Sequence, residues 1–202
     1  MPRLLAFKFQ TNGMADDERA PLPYPNFPTS VAVYVATPSG PELLYASDIA
    51  GATQMNKFVV HGRSVTTPAD LASAPSFAQV VQELSELTRA DDILVFHKAR
   101  YDKTAVLENT AQREGVDVSR LTSLLSYCTC QDPGARNTFA SCPSFARLCG
   151  HFRVALRDEY TAKGCAKALA ECLSAAVQSN SPIAVDIGVS LQDWIQPAAG
   201  DV

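Results

Sequence analysis

Arg3-Leu4-Leu5-Ala6-Phe7-Lys8-Phe9-Gln10, closed by Thr11-Asn12-Gly13, is the stretch that decides the fold. Leu5, Phe7 and Phe9 alternate with Ala6, Lys8 and Gln10, the two-residue period of a β-strand, and Asn12-Gly13 ends the run. Outward from it, residues 14–28 are acidic and then proline-rich (Asp16, Asp17, Glu18; Pro21, Pro23, Pro25, Pro28), which reads as a loop. Val31 to Val35 is β-branched enough for a buried strand, and Ser39-Gly40 turns it into Glu42–Ala46. These segments together predict an antiparallel meander.

Helical spacing appears next. Phe77, Val80, Val81, Leu84 and Leu87 predict a helix from Pro75 to Leu87 with one core face, capped by Ser73 or Ser76. Ile93 to Phe96 is wholly apolar between Asp91-Asp92 and His97, the pattern of a strand covered on both faces. A helix over 102–114 ending before Gly115, a strand over Leu124–Thr129, a short helix over Pro143–Leu148 closed by Gly150, and a long helix from about 159 to 178 complete the main unit. Antiparallel strands first, then alternating helix and strand, make an α/β fold with a mixed sheet.

Residues 179–202 form a tail in which Ile183, Val185, Ile187 and Val189 alternate with Ala184, Asp186, Gly188 and Ser190, the pattern of an extra strand. Such a strand either folds back onto its own domain or joins the sheet edge of a partner. In the second case Ile183, Val185, Ile187 and Trp194 are the partner-binding residues.

A chain of 202 residues, 47% hydrophobic and 19% charged, buries roughly 70% of its unfolded surface on folding. That suits one globular core. With 17 Lys and Arg against 21 Asp and Glu, the formal net charge is −4, so no global basic field recruits nucleic acid or a membrane surface. No apolar stretch approaches the length of a membrane span, and no signal-peptide pattern opens the sequence, so a soluble intracellular protein is expected. The six cysteines at 128, 130, 142, 149, 165 and 172 are then read as small buried hydrophobes. Zinc is the minority reading, because Cys128 and Cys130 lack knuckle spacing.

Four segments in order resemble the DnaQ-like 3′–5′ exonucleases of the DEDDh class, whose fold is ribonuclease H-like. Phe7-Lys8-Phe9-Gln10-Thr11-Asn12-Gly13 is similar to that family's F-D-x-E-T-x-G. His61-Gly62, with Pro68 to Leu71 and Ala74-Pro75-Ser76-Phe77, resembles H-G-I-T-x-x-x-L-x-x-A-P-x-F. Leu94 to Asp102 resembles V-x-H-N-A-x-F-D. Cys128-Thr129, Pro143 to Leu148 and Tyr160 to Ala166 resemble C-T-M, P-x-L-x-x-L and H-x-A-x-x-D-A. The likeness makes residues 1–178 the exonuclease-like domain.

The resemblance implies a mechanism in which carboxylates hold two Mg²⁺ or Mn²⁺ ions and a His acts as general base. Carried over position by position, the acids become Lys8, Gln10, Asp102 and Cys165, and the base becomes Tyr160. Asp102 alone survives. An ammonium at Lys8 repels a cation, Gln10 offers a neutral carbonyl, Cys165 is a soft ligand, and a phenol titrating near 10 is a poor base at neutral pH. The metal site is therefore predicted lost, with no cofactor, and Lys8 is expected to pair with Asp102 across it. Asp158 and Glu159 do not rescue the set, since a register using Asp158 puts Arg153 at the base position.

His61, His97 and His151 stand alone in sequence and are read as structural. Two function classes follow. One is a catalytically inactive domain acting as a protein-interaction or scaffold subunit, or forming a homo-oligomer. The other is a single-stranded RNA or DNA binding module, in which Lys98, Arg100, Tyr101, Arg136 and Arg147 line the old cleft and Tyr101 and Phe139 stack bases; residual metal-dependent 3′–5′ exonuclease activity comes third.

Overall fold

The computed structural model describes residues 2–13, 26–54, 67–158 and 161–195. The 14–25 stretch, His61, Gly62, Glu159 and Tyr160, named above, lie outside the described residues. Five strands form one sheet: β1 (Leu4–Thr11), β2 (Pro28–Thr37), β3 (Gly40–Asp48), β4 (Ile93–Phe96) and β5 (Leu125–Cys128), in the order β3-β2-β1-β4-β5. β1 pairs antiparallel with β2 and parallel with β4, and β4 pairs parallel with β5. The mixed sheet expected from the sequence is the one observed.

The alternation in β1 decides which side chain meets which layer. Leu5, Phe7 and Phe9 face a core built with α2 (Phe77–Leu87), which also takes in Val106, Leu107 and Ala111. Leu4 and Ala6 face a second core shared with α7 (Ala162–Gln178), which crosses β1, β2 and β3. Lys8 and Gln10 continue the Leu4–Ala6 face at its C-terminal end. Ser76 and Gln79 form the capping box that starts α2, but Leu87, read as core, is exposed at the last turn.

The smaller helices are α1 (Pro68–Leu71), α3 (Asn109–Glu114), α4 (Ser119–Thr122), α5 (Pro133–Phe139), α6 (Phe145–His151), α8 (Pro182–Ile187) and α9 (Leu191–Ile195). The segment expected as an ordinary helix from residue 102 begins instead as a π-helix, Arg100–Glu108, before narrowing into α3, and the Asn109 N–H reaches the Thr104 carbonyl. Gly115 ends it in the left-handed conformation at φ 65°. Gly150 lies inside α6 rather than closing it, which places His151 in the last turn.

The tail is helical, which corrects the expected strand. Ser181 caps α8, Pro182 occupies its first turn and Gly188 ends it at φ 78°. That punctuation outweighs an eight-residue alternation. Ile183 and Ile187, four apart and on one helical face, are buried with Val189 in the chain's own core; Trp194 packs partly against it, and Val185 points outward. The tail therefore folds back on its own domain.

A polar clamp holds the tail in place. Asp186 accepts from the Gly134 N–H at 2.8 Å, and the Tyr127 hydroxyl accepts from the Ala135 N–H at 3.1 Å, so both orphan donors of α5's first turn are satisfied from outside the helix. Burial, and then the charge of Asp186, raises the Tyr127 pKa. A Cβ at 134 would run into the Pro182 carbonyl and the Asp186 Cβ, so this approach requires glycine.

Candidate functional site

The C-terminal half of β1, the start of the π-helix and the first turn of α7 converge where the resemblance places the metal ligands. Lys8 Nζ lies 2.9 Å from Asp102 Oδ1 and 2.8 Å from Oδ2. The expected ion pair is present. Asp102 is wholly buried, and its Oδ1 also accepts from the Phe9 N–H at 3.1 Å, while the Lys8 side chain is 26% exposed. Burial pulls the Lys8 pKa down, but the charge and hydrogen bond of Asp102 outweigh it and leave the value raised above 10.5.

Other groups close around this pair. The ammonium sits 5.6 Å above the Tyr101 ring centroid. The Tyr101 hydroxyl is 2.8 Å from Thr11 Oγ1, and Thr11 Oγ1 also donates to the Gly13 carbonyl. Burial raises the Tyr101 pKa. Tyr101 is thus engaged as a wall of the site. Cys165, buried in the first turn of α7, lies close enough to act electrostatically on Lys8. Gln10 faces Ser30 across the β1–β2 ladder.

His97 ends β4 beside the pair. It is buried; Nδ1 is 2.9 Å from Thr129 Oγ1, and the ring packs on Phe145 with centroids 5.2 Å apart. Its pKa is pushed down to about 4, chiefly by burial and then by Lys8 and Lys98, against a smaller opposing pull from the Pro143 backbone. Among the described residues its Nε2 has no hydrogen-bond partner.

The basic candidates lie around the rim. Lys98, Arg100, Arg136 and Arg147 are exposed, and Lys103 donates to Ser126 at 3.0 Å. Lys98 adopts φ 64°, a left-handed backbone that lysine rarely takes. Phe139 is not the stacking surface expected of it. It is buried with Arg147 over its ring at 5.8 Å and the His151 ring edge-on at 5.0 Å. Helix α5, which carries Arg136 and Phe139, is missing from the sequence reading; Asp132-Pro133 is its start signal, with proline in the first turn.

The cysteine reading also changes. Cys130 and Cys142, twelve residues apart, form a disulfide, whereas Cys128, Cys149, Cys165 and Cys172 are in no disulfide and are buried as expected. No spacing rule joins 130 to 142. The link depends on α5 folding between them.

No protein-family model matches the sequence, and no curated protein matches it. Solved structures do match it. Exonuclease I of E. coli in complex with a dT13 oligonucleotide aligns with a TM-score of 0.65 at 14% identity, covering 93% of this chain and 43% of that one. A 3′-exonuclease solved for 3′-end specific recognition of the histone mRNA stem-loop aligns at 0.66 and 12% identity, over 90% of this chain and 84% of that one. A full-length 3′-exonuclease gives 0.67 with the same identity and coverage. The chain has the exonuclease fold. It spans about two fifths of exonuclease I and most of the 3′-exonuclease. Among the described residues of this exonuclease fold, no group of three or more His, Cys, Asp and Glu is placed to hold a metal ion, and no helix is long and apolar enough to cross a membrane.

Proposed function

We propose that the chain is a catalytically inactive exonuclease-like domain, a pseudoenzyme that serves as a protein-interaction or scaffold subunit in a nucleic-acid-processing or ribonucleoprotein assembly. The observation that carries this reading is the Lys8 ammonium seated on both oxygens of Asp102. Two hard dications need several anionic oxygens, and this position supplies an ammonium, an amide, a thiol and one carboxylate that is already paired. That donor set does not suit Mg²⁺ or Mn²⁺. Exposed apolar residues on both sheet edges, Leu43 on β3 and Leu125 on β5, support a protein contact.

The test is a 3′–5′ exonuclease assay with Mg²⁺ and with Mn²⁺, beside the fourfold revertant Lys8→Asp/Gln10→Glu/Tyr160→His/Cys165→Asp. No turnover by the natural chain is expected, and measurable turnover overturns the proposal. Affinity purification with and without nuclease treatment then separates the roles: partners kept after treatment fit the scaffold.

The exposed cations Arg100, Arg136 and Arg147, with Lys98, favour a second reading, a single-stranded nucleic-acid binding module. Affinity for an oligonucleotide that falls steeply with salt supports it, and no binding at low salt removes it.

A further inference from the structure

The Cys130–Cys142 bridge and the buried His97 belong to one device. Thr129, next to Cys130, holds His97 Nδ1 at 2.9 Å and donates to the Phe96 carbonyl at 3.3 Å. Pro143, next to Cys142, and Phe145, three residues beyond it, cover the ring from the other side. The two walls of the imidazole pocket are thus the two segments that the disulfide ties together, with Cα atoms 4.5 Å apart.

Apart from the packing of Phe145 and the burial of Pro143, the second wall is held locally among the described residues. Ala140 ends α5 in a left-handed conformation at φ 59°, and Ser144 caps α6. Those bonds are local, so the bridge is the long-range covalent tie of residues 140–143. The sulfurs differ in access: Cys130 is buried, whereas Cys142 is exposed. The free pair Cys149 and Cys172, with Sγ atoms 3.9 Å apart, is buried on both sides.

We propose that Cys130–Cys142 is a reversible thiol–disulfide site whose reduction by a dithiol releases the 140–145 cover from His97, beside the Lys8–Asp102 pair. A reductant thiolate attacks the exposed Cys142 Sγ, the bond to Cys130 breaks, and the Cys130 thiolate leaves and takes a proton. The second reductant thiol then displaces Cys142, which is also protonated, and the reductant departs as its cyclic disulfide. Two electrons and two protons pass to the protein. The hydrated ring then gains a proton more readily, against the opposing charges of Lys8 and Lys98, the two cations that face it.

The experiment uses the full chain. After treatment with oxidised glutathione, native alkylation and mass spectrometry should leave Cys130 and Cys142 unmodified; after dithiothreitol, Cys142 should be alkylated while Cys149 and Cys172 stay protected. Amide exchange over 140–145 should quicken about tenfold or more on reduction. The His97 ring signal, titrating near pH 4 in the bridged protein, should move toward 6.5. Cys142→Ser, which cannot form the bridge, should match the reduced natural chain in both readouts without any reductant. Alkylation of both cysteines in the oxidised sample overturns the proposal, as does a reduced protein whose exchange and His97 titration equal those of the bridged one.

Discussion

Two buried aspartates brace the centre of the sheet, one at each end of the β1–β4 pairing. At one end Asp92 takes Arg3 Nε at 2.8 Å and Nη2 at 2.6 Å, and its Oδ2 also accepts from the Arg89 N–H. At the other Asp102 takes Lys8 and the Phe9 N–H. The chemistry is nearly the same: a buried carboxylate, a partly exposed cation, and a backbone donor to complete the set. The surroundings are not. Arg3 reaches the Leu87 carbonyl at an exposed turn, while Lys8 is enclosed by Tyr101, Cys165 and His97. An ion pair of this chemistry therefore occurs at both ends of the pairing, and what sets the Lys8–Asp102 pair apart is its enclosure by Tyr101, Cys165 and His97.

Removing one partner of the enclosed pair should have the largest effect. Lys8→Ala leaves Asp102 buried and charged and is expected to lower stability by about 3–5 kcal/mol, whereas Lys8→Met with Asp102→Leu should recover most of that. Arg3→Ala should lose about 1–3 kcal/mol, because Arg3 lies at an exposed turn where water can enter the space it leaves beside Asp92. Urea unfolding measures all three, and equal losses for Lys8→Ala and Arg3→Ala would break the contrast between the two ends.

Acid should act mainly at the Lys8 end. Folding favours the neutral His97 ring, so its contribution is complete above the unfolded value near 6.5 and is lost as pH falls toward about 4. That difference corresponds to roughly 3 kcal/mol across the window. His97→Gln should flatten the pH dependence of the urea midpoint there, and a slope unchanged by the substitution would remove His97 as its source.

Two smaller changes set the scale away from the ion pairs. Gly134→Ala should cost about 1–3 kcal/mol by pushing α8 off α5, read as a lower melting temperature with faster proteolysis of the tail. Lys98→Gly should stabilise by up to about 1 kcal/mol by relieving the left-handed backbone, read as a higher urea midpoint.

Much of the sheet was legible because β1, β2 and β4 carry their own periods and end at turn residues. The Lys8–Asp102 contact was legible too, through the resemblance, which aligned two residues 94 apart in sequence. The tail was misread because a short alternation also satisfies a helix when Ser181, Pro182 and Gly188 punctuate it. The disulfide and the Arg147–Phe139–His151 stack were invisible for a different reason: each needs α5 in place, and α5 is short and carries little periodicity of its own. Tertiary packing, rather than any local signal, brings those groups together.

The π-helix has an evolutionary reading. Such a segment is geometrically an α-helix that has absorbed one inserted residue, and each residue turns an α-helix by about 100°. Deleting a single residue between Lys103 and Glu108 would let the segment relax into regular α form and swing Asp102 relative to α3 by about that angle. The reach from Asp102 to Lys8 thus depends on chain length as well as on residue type. A homologue with one residue fewer here would have to find another partner for its first-strand lysine.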